Sequence, residues 1–308
     1  MSRMIVTTTV YPGVEPFLAD WAASVRDQDD RDFELWIGLD QVTEAAAVEA
    51  MGHDPGARWV HARPGDGLGA VRQRVWERFD PDVSGVVFVD ADDRLRPSRV
   101  GAARQALRGV DHVACRLRLV DRRGADLGVS FPATIPDPPD FALPGNNVFG
   151  LSNSAIRGEV LRRCLPIPAE AVAVDWYLAS RAWLSGARLG YDRGVRMEYR
   201  QHDDNLTQVR GPFGAERVAA DTDRVRHHFG LLLRDPRPED VAERAARVQA
   251  VAADVEAFHR RVVRDPDRLR RYVADLAALD FEPLWWSCVA HPALAHHWRT
   301  DDPPKGND

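Results

Sequence analysis

The segment from Val86 to Pro97, VVFVDADDRLRP, constrains the fold of this chain more than any other stretch. It opens on an apolar run rich in β-branched residues, which is typical of a strand buried on both faces of a parallel sheet. The run stops abruptly in four residues that include three carboxylates. Pro97 follows where its fixed φ suits the first turn of a helix. The segment therefore predicts a buried strand, an acidic turn and a helix, in that order.

The three carboxylates of the turn are Asp90, Asp92 and Asp93. In open α/β sheets ligands bind beyond the carboxyl ends of the strands, so these acids are expected at the functional edge. Because clustered carboxylates repel one another, a cation would stabilise them, and hard oxygen ligands suit Mg²⁺ or Mn²⁺. The alternative is a solvated acidic turn that caps the next helix.

Strand and helix patterns alternate over the first 120 residues, which is typical of βαβ units. The pattern predicts an α/β fold with a mainly parallel sheet flanked by helices. Strands are predicted at residues 4–10, 33–39, 58–61, 86–89 and 112–120.

The pattern changes in the second half of the chain. Five prolines between residues 121 and 147 exclude a long regular element there. Beyond residue 213 the spacing of apolar residues predicts helices, with breaks near Pro236 and Pro266. Between these regions helices are predicted at 156–164 and 174–184, and short strands at 188–191 and 195–199.

Composition excludes several classes of protein. The net charge of −6 argues against a nucleic-acid-binding surface. No segment approaches the roughly 18 unbroken apolar residues of a membrane span, and the N-terminus lacks the apolar core of a signal peptide. Three cysteines lie too far apart for a metal site or a disulfide framework. These features predict a cytoplasmic protein without a transmembrane segment, which could still bind peripherally at the inner face of the membrane.

Two candidate residues lie close to the predicted sheet edge. Asp40 ends the second strand and could bind a nucleobase or ribose in the same cleft, or cap the following helix. A glycine-rich loop, residues 63–69, leads into a helix that carries Arg72. Glycines and a helix N-terminus near arginine favour phosphate, although a plain tight turn also fits this loop.

Two later residues are further candidates. Asp175 lies at a predicted helix start among apolar residues, where burial would raise its pKa and suit a general base. The alternative is an N-cap aspartate. His202 follows a predicted strand and could complete the coordination of a carboxylate-bound cation, or simply be solvated in a polar loop.

In this order the segments resemble a family 2 glycosyltransferase of the GT-A fold, over roughly residues 4–205. VDADDRLRP is similar to the family's DxD signature, and GLGAVRQRV to the loop and helix before it. VDWYLASRAWLSGARLGY and YRQHDDN resemble the stretch with the catalytic aspartate helix and a later histidine.

The resemblance implies a role for each matching residue. Asp175 matches the catalytic base, and Asp92 matches the direct ligand of Mn²⁺ or Mg²⁺, with Asp90 and His202 as further metal ligands. The residues that match the donor-nucleotide site are Tyr11, Pro12, Asp40, Arg72, Asp90 and Ala91. The sequence departs from the family in two places, since Val174 replaces the first acid of a catalytic pair and Gln41-Val42-Thr43 replaces an acidic, serine-rich continuation.

The resemblance implies a metal-dependent, inverting transfer of a sugar from a nucleotide-sugar donor to an acceptor hydroxyl. The acceptor would be a saccharide, a lipid-linked molecule or a small molecule. One alternative is a catalytically silent saccharide- or nucleotide-binding protein of the same fold. Another is a haloacid-dehalogenase-type phosphatase, in which an apolar strand also ends in Asp-x-Asp, although that signature normally opens the chain.

The expected organisation has three parts. Residues 1–210 are predicted to form the GT-A-like catalytic domain, 211–299 a helical C-terminal region that could form a homodimer contact, and 300–308 a disordered tail. The aromatic segment 281–286 is predicted to pack on the catalytic domain, and the alternatives are binding to a partner subunit or contact with a membrane surface. The pairs His227-His228 and His296-His297 are predicted to be surface features.

Overall fold

Nine strands form one mixed sheet in the part of the chain that the computed structural model describes, residues 3–134, 142–202 and 211–299. The sheet has the order β3-β2-β1-β4-β8-β6-β9-β5, and β7 pairs with β6. The strands are β1 (Arg3–Val10), β2 (Phe33–Leu39), β3 (Arg58–His61), β4 (Val83–Phe88), β5 (Arg94–Leu95), β6 (His112–Val120), β7 (Asp126–Phe131), β8 (Ser154–Ile156) and β9 (Leu189–Arg200).

Most strands of this sheet run in the same direction. The pairs β1–β2, β1–β4, β2–β3 and β6–β9 are parallel, whereas β8 is antiparallel to both β4 and β6. The carboxyl ends of β1, β2, β4, β6 and β9 therefore meet along one edge. Because β8 runs the other way, the residues before it lie at that same edge. The topology thus gathers Tyr11, Asp90, Ser152 and His202 on one side of the sheet.

Helices cover the sheet and form the C-terminal region. An amphipathic helix packs through its apolar face, and on α1 the buried residues recur at helical spacing: Phe17, Leu18, Trp21, Ala22 and Val25. The helices are α1 (Glu15–Arg26), α2 (Glu44–Met51), α3 (Leu68–Trp76), α4 (Arg99–Ala106), α5 (Gly158–Cys164), α6 (Val174–Leu184), α7 (Ala215–Arg234), α8 (Ala242–Phe258) and α9 (Pro266–Ala278). A π-helical turn (His259–Val263) follows α8, and a 3-10 helix (Pro292–His297) closes the described chain.

This architecture confirms the predicted α/β fold with a mostly parallel sheet flanked by helices and a helical C-terminal region. The strands β5 and β8 were not predicted, and two further strands differ from the prediction. β7 forms inside the segment expected to be irregular, just before its prolines. The two short strands expected at 188–191 and 195–199 are one strand, β9, because Arg193 and Gly194 bulge out between the pairs Cys115–Asp192 and Arg116–Val195.

The C-terminal region packs directly on α6. The ring of His228 stacks on Trp176 with centroids 4.0 Å apart, and the guanidinium of Arg247 lies 5.0 Å from the Trp183 ring. His228 is buried, so its prediction as a surface residue was wrong, whereas His296 is exposed. No helix in the described ranges combines the length and apolar character needed to cross a bilayer. The tail 300–308, predicted to be disordered, lies outside the described residues.

Candidate active site

A cavity of about 490 Å³ opens at the edge where the parallel strands end. Its wall is built by the segments that follow β1, β4 and β9, by the segment before β8, and by the start of α6. Of the predicted site residues, those that line it are Tyr11, Pro12, Arg72, Asp90, Asp92, Asp175 and His202. The structure therefore brings together seven of the nine predicted site residues, which lie between positions 11 and 202 of the sequence.

Asp40 and Ala91 are the two predicted site residues that lie outside this wall, as far as the chain is described. Ala91 is fully buried, and Asp40 is 6% exposed beside the end of β1, where its backbone N–H donates to the Val10 carbonyl over 2.9 Å. Asp40 does not cap the next helix, because the Thr43 hydroxyl accepts the hydrogen bond from the Ala46 N–H.

Asp90 is held by an arginine and a serine. Arg72 Nη2 donates to Asp90 Oδ1 over 2.8 Å, and the Ser152 hydroxyl accepts the Asp90 backbone N–H over 3.0 Å. Burial raises the pKa of the Asp90 carboxyl, and the charge of Asp92 adds to this, while Arg72 opposes it. The α3 helix thus places the positively charged guanidinium of Arg72 beside Asp90, the first acid of the turn.

Asp93 lies beneath the cavity and is 1% exposed. Its carboxylate accepts hydrogen bonds from the Ser152 hydroxyl and, over 2.7 Å, from the Arg200 backbone N–H. Burial raises the pKa of Asp93 well above its ordinary value, and the charges of Asp92 and Asp90 raise it further. Three carboxyl groups thus lie close together in the acidic turn, and two of them have raised pKa values.

Asp92 faces the cavity together with His202. The His202 Nε2 atom lies 3.0 Å from Asp92 Oδ2, and the imidazole stacks on Phe17 with ring centroids 5.3 Å apart. A residue from the end of β9 and a residue from the turn after β4 thus meet in space, 110 positions apart in sequence. Neither the capping nor the solvated-loop alternative describes these positions.

Arg200 fixes the turn from behind. Its guanidinium is 2% exposed and donates to the Asp92 carbonyl over 2.7 Å, to the Arg122 carbonyl over 2.8 Å, and to Asp20 Oδ2 over 3.0 Å. The guanidinium also lies 4.8 Å from the centroid of the Phe17 ring. These hydrogen bonds connect the end of β9 to the acidic turn, to the turn after β6 and to α1.

Asp175 lies on another part of the wall, as the second residue of α6. Ala173 occupies the N-cap position, so the alternative of an N-cap aspartate was wrong. The Asn147 amide donates to Asp175 Oδ2 over 3.1 Å. Burial raises the pKa of Asp175 to about 6, against the lowering effect of the Trp176 backbone N–H, and the charge of Asp90 raises it further. Such a carboxylate can accept a proton near neutral pH.

The aromatic segment near the C-terminus completes the wall. Trp285 and Trp286 are 5% and 4% exposed, and both contribute to the cavity lining. Trp286 stacks on Trp176 with centroids 5.5 Å apart. At Gly150 a Cβ atom would lie 2.8 Å from the Trp285 ring, so only glycine allows this close packing. The aromatic segment therefore packs on the part of the chain that contains the sheet, as predicted.

The donor atoms at the acidic turn suit a divalent cation. Asp92 and His202 supply a carboxylate oxygen and an imidazole nitrogen 3.0 Å apart, next to the carboxyl groups of Asp90 and Asp93. Asp90, the third predicted ligand, is instead paired with Arg72, and the three predicted ligands do not form a compact set in the described residues. Asp92 and His202 therefore fit a divalent cation.

Sequence reasoning missed several residues of this site. Ser152, Asn147 and Arg200 act through contacts with residues 28 to 108 positions away, and no short motif marks them. The signal that could have found Ser152 is the three-residue strand β8, whose reversed direction places the preceding loop at the functional edge. A strand this short has no recognisable periodicity.

No protein-family model matches the chain, and no curated protein matches its sequence. Solved structures do share its fold. The S. aureus TarS fragment 1–349 in complex with UDP-GlcNAc has a TM-score of 0.58 at 16% identity, covering 84% of this chain and 72% of that one. The mannosyltransferase PcManGT from Pyrobaculum calidifontis, in complex with GDP-Man and Mn²⁺, has a TM-score of 0.59 at 16% identity, covering 95% of this chain and 78% of that one. At this identity the likeness establishes the fold.

Proposed function

We propose that this chain is a metal-dependent, inverting glycosyltransferase that moves a sugar from a nucleotide-sugar donor to an acceptor hydroxyl. One observation carries the proposal: a single cavity contains the Asp92–His202 pair, the Arg72 cation and the Asp175 carboxylate with its raised pKa. These are the groups that a nucleotide diphosphate and an attacking hydroxyl require. The structural neighbours support it, since one is in complex with UDP-GlcNAc and the other with GDP-Man and Mn²⁺.

Asp92 and His202 would hold Mn²⁺ or Mg²⁺, which when bound supplies positive charge for the leaving diphosphate. Arg72 adds a second positive charge close to Asp90, on the same wall. The role of Asp90 would therefore be to position Arg72 as well as to add negative charge to the acidic turn. Tyr11 and Pro12 border the cavity at the end of β1, and we assign the nucleotide base to this end.

Asp40 and Ala91 have a less direct place in the donor site. Ala91 separates the two cavity-facing acids, and the Asp40 backbone is fixed to the Val10 carbonyl, next to Tyr11. We assign Asp40 to the base or ribose end of the donor. Its carboxylate would contact the base or the ribose from outside the residues that line the cavity. Ala91 acts through its small, buried side chain, which leaves room for Asp90 and Asp92 on either side.

Asp175 is the proposed general base. Its carboxylate accepts the proton of the acceptor hydroxyl while the hydroxyl oxygen bonds to the anomeric carbon of the donor sugar. The bond between that carbon and the diphosphate oxygen breaks on the opposite face, so the configuration inverts. Asn147, which donates to Asp175 Oδ2, orients the carboxylate for this transfer.

Several features of the proposal lie outside the cavity. The catalytic unit would comprise residues 1–210 and the helical region residues 211–299, with the latter available for a homodimer contact. The acceptor would be a saccharide, a lipid-linked molecule or a small molecule. Action in the cytoplasm, or at the inner face of the membrane, fits a donor of this class.

A thermal-shift screen of UDP- and GDP-sugars with Mn²⁺ tests the proposal, because a ligand that binds the native state raises the unfolding midpoint. We expect at least one nucleotide sugar to raise the midpoint and to release UDP or GDP when an acceptor is added. Binding without release would identify a silent binding protein. Hydrolysis of a generic aryl phosphate without any nucleotide-sugar effect would favour the phosphatase alternative.

A further inference from the structure

Asp275, His296 and His297 form a cluster on the surface of the C-terminal region, away from the residues that line the cavity. Their three ligand atoms lie within 4.8 Å of one another, and no other such group of His, Cys, Asp or Glu occurs in the described ranges. Asp275 belongs to α9, and the two histidines end the 3-10 helix at residues 292–297. The fold thus brings two imidazoles and a carboxylate from separate elements to one point.

His297 is held in place by its contacts with Asp275 and with Tyr272. His297 Nε2 lies 2.8 Å from Asp275 Oδ2, and the His297 ring meets Tyr272 edge to face at 5.6 Å. Tyr272 is fully buried, and its hydroxyl donates to the Cys288 carbonyl over 3.0 Å. The His296 ring lies 4.4 Å from that of His297 at an angle of 37°. An ion pair between His297 and Asp275 would need only one imidazole. The second imidazole, that of His296, is what a metal site would add.

These donor atoms select a particular class of metal. Two imidazole nitrogens and one carboxylate oxygen suit Zn²⁺, whereas Mg²⁺ and Mn²⁺ favour oxygen ligands. With metal–ligand distances of 2.0–2.2 Å, the ligand atoms of a tetrahedral zinc site lie about 3.3 Å apart. A spacing within 4.8 Å comes to this value through small side-chain rotations, and His296 and Asp275 are exposed enough to make them.

We propose that Asp275, His296 and His297 bind one Zn²⁺-class cation, with water as the fourth ligand, and that this cation fastens the C-terminal segment to α9. The same segment carries Trp285 and Trp286 into the cavity wall. A metal ligand must be an unprotonated nitrogen, so any proton on His297 Nε2 moves to Nδ1 or is released to solvent when the metal binds. The site is independent of the sugar-transfer proposal.

Calorimetric titration of the metal-free full chain with ZnCl₂ tests the site. We expect the wild-type chain to bind one more equivalent of Zn²⁺ than His296→Ala, because the donor-site acids contribute equally to both. His296 is exposed, so its replacement leaves the fold intact, and Asp275→Asn provides a second variant with the same expected loss. The control is His53→Ala, which replaces a partly exposed histidine more than 200 positions before the cluster. This variant should bind as many equivalents of Zn²⁺ as the wild type. Equal stoichiometry in the wild type and His296→Ala would overturn the site.

Thermal unfolding tests the fastening of the segment. Zn²⁺ should raise the unfolding midpoint of the wild type and of His53→Ala, and should raise it less in His296→Ala. Mn²⁺ should not reproduce the difference between these variants. An equal Zn²⁺ effect in all three chains would show that the cation, even if bound, does not secure the segment.

Discussion

Asp175 shows how one position acquires reactivity from its surroundings. An aspartate in water is ionised well below neutral pH, but burial at the start of α6 raises the pKa of Asp175 to about 6. Its partner Asn147 is neutral, so it orients the carboxylate without neutralising it. A base with this pKa remains ionised at pH 7 and still accepts a proton readily.

The pH dependence of turnover should therefore follow the ionisation of Asp175. The ionised form is the active one, so turnover should rise roughly tenfold between pH 5 and pH 7, as a group with a pKa of about 6 loses its proton. Asp175→Asn should lose about 10²–10⁴-fold in turnover and bind donor as the wild type does. Initial rates across this pH range, with donor binding by calorimetry, provide the measurement.

The matched control is Asp27→Asn, which removes an exposed carboxylate at the end of α1 and should leave the profile unchanged. Wild-type turnover in Asp175→Asn, or a limb near pH 4 in the wild type, would remove Asp175 from the role of base.

Which individual residues the sequence can predict depends on how local their signals are. Asp90, Asp92 and Asp175 stand in recognisable local patterns, and each of them lines the cavity. Ser152 and Arg200 do not, because their importance comes from hydrogen bonds to residues 59 to 108 positions away. Asp40 illustrates the opposite case: its place at the end of β2 is predicted, but it is buried and does not line the cavity.

At the scale of elements, β4 is the strand that places the acidic turn. Its first residues are fixed from one side by α5, which starts at Gly158. A Cβ atom at Gly158 would lie 2.2 Å from the Val83 carbonyl oxygen, so the helix and the strand touch through backbone alone. Glycine at this position sets the distance between the two elements.

Gly158→Ala should therefore lower the free energy of unfolding by about 1–3 kcal/mol, because backbone atoms must move to admit the methyl group. Gly230→Ala is the matched control: it lies inside α7 with open space around it, and alanine there should raise stability by up to about 1 kcal/mol. Urea unfolding of both variants measures the difference. Equal stability in the wild type and Gly158→Ala would contradict the close packing of α5 on β4.

Elements with regular periodicity could be predicted from the sequence with close boundaries, among them β2, β3, β6 and α6. β9 could not, because the turn-forming residues Asp192, Arg193 and Gly194 are typical of a break between strands. In the structure the Asp192 side chain accepts the Gly194 N–H over 2.8 Å and closes a bulge within one strand. Pairing with β6 on both sides of the bulge overrides the local signal.

At the scale of the whole molecule, the C-terminal region does more than cover α6. Its final segment returns to the cavity, where Trp285 and Trp286 form part of the wall next to Gly150. The sequence predicts the helices and the packing of the aromatic segment, but not which surface receives it, because that depends on the path of the chain after α9. The molecule thus builds one site from both ends of its sequence.

The central claim is that the cavity binds a nucleotide diphosphate through a cation held by Asp92 and His202. Calorimetry with UDP and GDP, in the presence of Mn²⁺ and then of EDTA, tests it most directly in the wild type and in Asp92→Ala. We predict binding of at least one nucleotide to the wild type with Mn²⁺, and loss of that binding both with EDTA and in Asp92→Ala. Undiminished binding in Asp92→Ala, or binding that does not depend on Mn²⁺, would contradict the account.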